Sequence, residues 1–166
     1  MKRKPVLAAV AGVLLLWSAA AIAQANSTLT LQGLDGNPLT FTVEQLQHMP
    51  QQSATITNPH TKATEHYEGV LLVDLLAKVN APSGDNLRGD EMRDYVEVAG
   101  RDEYRAVFAL AELDPAFQDS RVLVAISMDG KPLDYKLGPI RVVAPQDKRP
   151  ARSVRMVTTI TLRRAP

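Results

Sequence analysis

Cysteine is absent from all 166 residues. That excludes disulfides, thiolate metal sites and cysteine nucleophiles, so any core must hold by packing alone. No GxSxG elbow is present, and Ser153 near Asp147 and His60 is no argument for a hydrolase without one. Internal repeats, low-complexity tracts and linkers are missing too, which leaves one domain. An excess of either charge is also lacking. The chain carries 19 Lys and Arg against 18 Asp and Glu. Three of those bases, Lys2, Arg3 and Lys4, form the n-region of a secretory signal peptide. Val6 to Trp17 is its apolar run, and Ala21-Ile22-Ala23 or Ala23-Gln24-Ala25 its cleavage site. Cleavage leaves 16 basic against 18 acidic residues, a formal charge of −2, which removes the main warrant for nucleic-acid binding. The expected organisation is a signal peptide over 1–25 and a single domain over 26–166. The expected location is the periplasm or the exterior, with no membrane attachment once the signal is gone.

What is present is strand-rich. Leu29-Thr30-Leu31, the Asp35-Gly36-Asn37 turn and Leu39 to Phe41 read as an opening hairpin. Thr42 and Gln45 form a capping box for a short helix that Pro50 stops. Ala54 to Thr57 is a strand running into the turn Asn58-Pro59-His60-Thr61. Leu72, Leu75, Leu76 and Val79 recur at helical spacing, and 80–93 is the longest loop. Tyr95 to Val98 and Tyr104 to Phe108 form a second hairpin, and Leu110 to Leu113 is one helical turn. Val122 to Ile126 is a central strand turning at Asp129-Gly130, and Val157 to Leu162 closes the domain. The fold class expected is α+β and strand-rich, a mixed β-sheet domain with short helices.

The stretch from Gly138 to Arg155 holds the strongest chemistry. It sets β-branched Ile140 to Val143 between Pro139 and Pro145, which places Arg141 inside a strand. Lys148, Arg149, Arg152 and Arg155 follow on a segment that Pro145 and Pro150 keep out of regular helix, so several cations are able to converge on one surface. That makes a candidate anion site, with a solvated basic loop as the plainer reading. Elsewhere, His60, Glu65, His66 and Glu68 have the donors for zinc or copper but no motif spacing, so no metal site is expected. The four tyrosines, Tyr67, Tyr95, Tyr104 and Tyr135, read as amphipathic core.

The ordered pieces LTL, YEGVLLVDLL, DYVEVAGRDEYRAVFALAEL, VLVAISMDGKPL, GPIRVVAP and RSVRMV resemble the molybdopterin-binding domain of the sulfite-oxidase type, in its small secreted single-domain form. The resemblance covers nearly all of residues 26–166. It implies the corresponding mixed-sheet fold and, in the family's enzymes, a cysteine thiolate on molybdenum at a place that falls near Asn58. An asparagine amide is no substitute for a soft anionic ligand. The resemblance also implies that Ser153 and Arg155 stand where the family contacts the cofactor's phosphate and pterin, with Arg141 on the same side. Tyr67 replaces the family's tryptophan. Asp102-Glu103-Tyr104 has lost the glycine of the family's turn, which predicts a different turn geometry. Asp147 beside the site would repel a phosphate. The n-region has no twin arginine, whereas exported enzymes of this type leave the cytoplasm folded around their cofactor.

The function expected is thus a periplasmic or secreted domain of this fold without molybdenum chemistry, acting as a small-anion-binding or accessory protein. Its partners are a small anionic ligand or a periplasmic protein. No cofactor is expected and no residue is assigned to catalysis. The alternative is a molybdopterin-dependent oxidoreductase. The candidate ligand site comprises Arg141, Ser153, Arg155, Arg152, Lys148, Asn58, His60 and Tyr67. Its expected floor is strand, its rim Asp147 to Ala151, and Tyr67 or His60 approaches from the opposite side.

Overall fold

The structure is a computed structural model that describes residues 27–166; the expected signal peptide, 1–25, and both expected cleavage sites lie outside the described residues. Two five-stranded sheets carry the fold. The first runs β2 (Pro38–Thr42), β1 (Thr28–Gln32), β10 (Val157–Arg164), β5 (Asp94–Gly100), β6 (Arg105–Ala109). β1 pairs parallel with β10 and every other pairing in that sheet is antiparallel, so the sheet is mixed. The second runs β3 (Gln52–Thr57), β4 (Thr64–Leu71), β7 (Leu123–Met128). On the far side of β7 lie both β8 (Lys131–Pro132) and β9 (Arg141–Val143). Among the described residues no helix is long and apolar enough to cross a membrane.

Among the described residues three short α-helices join these sheets. α1 (Val43–Gln47) begins with the expected capping box: Gln45 N–H donates to Thr42 Oγ1 at 3.1 Å and Thr42 N–H to Gln45 Oε1 at 2.8 Å. α2 (Leu72–Leu76) is shorter than the periodicity predicts, because a 3-10 turn, Ala77–Val79, takes over and ends with Asn80 in the left-handed region. α3 (Leu110–Leu113) is the single turn expected. The 80–93 loop contains two further 3-10 turns and is pinned by buried Leu87 and by Gly84 N–H donating to Asp114 Oδ2 at 2.6 Å.

One apolar core takes Leu29, Leu31, Val96, Val98, Phe108, Ile160 and Leu162 from the first sheet, and Val70, Val124, Ile126 and Val142 from the second. Leu46, Leu72, Leu75, Leu76, Leu110 and Leu113 from the helices complete it. Each such aliphatic side chain contributes roughly 1.5–3 kcal/mol on burial. The alternate residues of the second sheet, Ala54, Tyr67, Leu123, Ala125 and Val143, build a separate, smaller cluster on its outer face together with Leu133, which follows β8. β7 is therefore buried on both faces, which accounts for its unbroken apolar run. Gly69 is required where β4 meets it, since a Cβ there would lie 2.1 Å from the Val124 carbonyl oxygen. Of the four tyrosines only Tyr67 is fully buried; Tyr104 and Tyr135 are exposed, because turns at strand ends carry both.

Candidate functional site

A cleft of about 320 Å³ opens beside β3. Thr55, Ile56, Thr57 and Pro59 form one wall, and Ala144, Pro145, Asp147, Lys148, Pro150 and Ser153 the other. The second wall is the segment after β9, which crosses to β10 by a 3-10 turn, Pro150–Arg152. Ser153 is placed there by main-chain pairing: Val142 N–H donates to Val154 C=O at 2.9 Å, and Ala144 N–H donates to Ser153 Oγ at 3.1 Å. The Ser153 hydroxyl proton remains able to donate elsewhere.

Charge in the cleft is set by ion pairing. Arg152 Nε and Nη2 donate to the two carboxylate oxygens of Asp147 at 2.9 and 2.7 Å, and Nη1 donates to Glu112 Oε1 at 2.8 Å. Its guanidinium also lies 4.5 Å from the Phe108 ring centroid. The hydrogen bonds to Asp147, more than the opposing burial, push the Arg152 pKa further up. Arg152 is therefore a structural cation, and the Asp147 charge that would repel an anion is answered within the segment. Lys148 is exposed and remains as the cation of the cleft wall.

Arg141 is elsewhere. Alternation along β9 sends Val142 to the main core and Arg141 to the outer face of the second sheet, opposite Ala125 in register. There it is buried, its Nη1 donates to the Tyr67 hydroxyl, and its guanidinium carbon is 4.9 Å from the Tyr67 ring centroid. Tyr67 in turn donates to Glu65 Oε2 at 2.8 Å, and Glu65 Oε1 accepts from Asn58 Nδ2 at 2.7 Å. Burial drives the Tyr67 pKa well above the ordinary phenol value, with Arg141 pulling it down and Glu65 pushing it up. Arg141 Nε has no hydrogen-bond partner.

The expected convergence of Arg141, Ser153 and Arg155 on one pocket is thus corrected. Arg141 is buried against Tyr67 and is not in the cleft lining that holds Ser153, and Arg155 is an exposed residue outside that lining. Strand alternation is the reason for the first; for the second, the chain has left the cleft by Arg155 to enter the other sheet. Lys148 and Ser153 do share the cleft, with Asn58 and His60 flanking its Pro59. The His60, Glu65, His66, Glu68 group is split by the same alternation, which sends Glu65 toward Tyr67 and His66 to the opposite face beside Thr55. Among the described residues no three His, Asp or Glu side chains come together. Sequence reasoning missed Thr55, Ile56 and Thr57, whose one visible signal is a strand without charged residues, and missed Glu65 and Glu112, whose partners are set by tertiary pairing.

The fold is that of the sulfite-oxidase-type molybdopterin-binding domain. The crystal structure of the sulfane dehydrogenase SoxCD from Paracoccus pantotrophus superposes with a TM-score of 0.62 at 20% identity, over 84% of this chain and 38% of that one. No curated protein matches the chain. The family model described as the oxidoreductase molybdopterin binding domain matches residues 17–166, and the chain belongs to that family.

The residues present do not fit the family's molybdenum. No thiolate exists in the chain, and the Asn58 side chain at the corresponding turn is already used. Its Oδ1 accepts from the N–H groups of His60 and Thr61 at 2.9 and 3.2 Å, and its Nδ2 is held by Glu65. Asn58 closes the turn instead of ligating.

Proposed function

We propose that this protein is an accessory domain of the molybdopterin-binding fold that works without molybdenum chemistry and recognises an anionic ligand at the cleft beside β3. The observation that carries the reading is Asn58, a neutral amide spent within its own turn where the family's enzymes hold a ligating thiolate. The cleft supports the second half of the reading. Lys148 supplies a positive charge, Ser153 a hydroxyl donor, and the Asp147 carboxylate is committed to Arg152. The periplasm or the exterior is the proposed location, on the strength of the n-region and apolar run of residues 2–17.

Family membership favours the alternative, a molybdopterin-dependent oxidoreductase. Metal analysis of the native protein separates the two. The proposal expects no stoichiometric molybdenum, and finding it would overturn the proposal. Titration with inorganic phosphate, followed by thermal shift, tests the anion reading: a ligand bound by the native state raises the apparent Tm. The rise should be smaller in Lys148→Ala.

A further inference from the structure

The wall of the cleft formed by β3 is an open strand edge. β3 ends the order of its sheet. Its register against β4 pairs Asn58 with Ala63, and Asn58 N–H donates to Ala63 C=O at 2.9 Å. In an antiparallel ladder hydrogen-bonded pairs alternate with non-bonded ones, so Ile56 and Ala54 also point their main-chain groups inward. Ser53, Thr55 and Thr57 then point theirs outward. The partner strand agrees. His66, opposite Thr55, spends its main chain on β7's side: Asp129 N–H donates to its C=O at 2.8 Å and its N–H donates to Asp129 Oδ1 at 3.1 Å.

Thr55 and Thr57 project to one face of the sheet and Ile56 to the other. A cleft lined by all three therefore follows the strand edge and not either face. Edge strands are ordinarily blunted by charge or proline. β2 starts with Pro38 and β6 with Arg105, whereas β3 reads Gln-Ser-Ala-Thr-Ile-Thr with neither. Ala144 to Ser153 lines the same cleft from the other side, leaving a slot with two sides. Such a slot admits a single extended chain and obstructs the edge of another whole sheet.

We infer that the cleft takes an extended peptide segment, paired through its main chain to Thr55 and Thr57 as an added strand, with a carboxylate set against Lys148. This rests on the anion reading of the cleft and names its ligand class. Main-chain pairing supplies the binding, as in other strand additions, and Lys148 supplies the preference for an acidic segment. Asp147 does not oppose it, being held by Arg152.

The test uses an acetylated, amidated pentapeptide that alternates valine and threonine and ends in aspartate. Two controls accompany it: the same peptide ending in asparagine, and one N-methylated at alternate residues. Each is titrated into the 15N-labelled full mature chain. Binding is expected to shift the amides of Thr55, Thr57 and Lys148 and to be lost with the N-methylated peptide. Thr55→Pro removes one outward N–H where an edge strand tolerates proline, and should weaken binding by about tenfold. Lys148→Ala should erase the preference for aspartate over asparagine. No binding to the wild type, or equal binding of the N-methylated peptide, overturns the inference; the latter result holds even if Thr55→Pro fails to fold. Concentration-dependent dimerisation abolished by Thr55→Pro would also overturn it, by showing a second copy at the edge. Inorganic phosphate, titrated into the same samples, isolates the underlying reading. Phosphate binding without peptide binding sinks the peptide and keeps the anion site, while peptide binding without phosphate binding supports the peptide and removes the free anion.

Discussion

The Arg141 guanidinium both donates to the Tyr67 hydroxyl and lies 4.9 Å from the centre of the Tyr67 ring, so one buried tyrosine meets one buried cation in two ways. Tyr67→Phe keeps the ring and removes the hydroxyl. That leaves Arg141 Nη1 and Glu65 Oε2 without their partner beside an Arg141 Nε that has none. The expected loss is about 1.5–3 kcal/mol, the range for a hydrogen bond to a charged group, read by urea unfolding at neutral pH.

The same pair sets an alkaline limit. Burial raises the Tyr67 pKa in the folded chain above its unfolded value of about 10. The stabilisation that the neutral phenol provides is thus complete below pH 10 and is lost as pH rises beyond it. Wild-type stability should fall more steeply above that pH than that of Tyr67→Phe. Parallel unfolding curves of the two proteins from pH 9 to 11 would contradict this.

Arg152 and Arg155 should behave oppositely. Arg152→Ala removes a bidentate pair with Asp147, a bond to Glu112 and the Phe108 contact, and should cost about 1–2 kcal/mol after allowance for partial solvent screening. Arg155→Ala should stay within about 0.5 kcal/mol of the wild type. Thermal unfolding of the two variants side by side provides the comparison.

Glu103 occupies the left-handed region, at φ 65°, in the turn where Glu103 N–H donates to Gly100 C=O at 3.1 Å. The turn thus sets a residue with a Cβ in a conformation that favours glycine. Glu103→Gly should raise stability by about 0.5–1 kcal/mol, the relief of strain outweighing the added freedom of the unfolded chain. Chemical denaturation would show the midpoint moving up at unchanged slope.

Gly69→Ala should do the reverse. The added methyl would meet the Val124 carbonyl oxygen at 2.1 Å and the Ala125 Cα at 2.7 Å, both main-chain atoms of the central strand. A loss of about 3 kcal/mol or more is expected, measured by denaturation or seen as failure to express in soluble form.

Local chemistry was legible in the chain wherever neighbours in sequence decide it. The Thr42 and Gln45 box, the Asp129-Gly130 turn and the apolar run of β7 announce themselves within a few residues. The candidate site was less legible. A strand buried on both faces has no polar alternation to tell which way Arg141 points, so nothing local shows that it turns to Tyr67 and stays out of the cleft lining. Arg152 looked like Arg155 because its second carboxylate, Glu112, comes from α3, forty residues away in sequence. The conformation of Glu103 was not legible either, because main-chain bonds of the turn, and not its side chain, hold it in the left-handed region.

The parallel pairing of β1 with β10 has a consequence in time. β1 has only two neighbours in its sheet, the adjacent β2 and the distant β10, and β10 alone links them to β5 and β6. Until the ribosome has released Val157–Arg164, the first sheet is two disconnected hairpins with Leu29, Leu31, Val96 and Val98 lacking their cover. The sheet therefore closes late, through a pairing between segments far apart in sequence, and such a long-range closure makes folding slow.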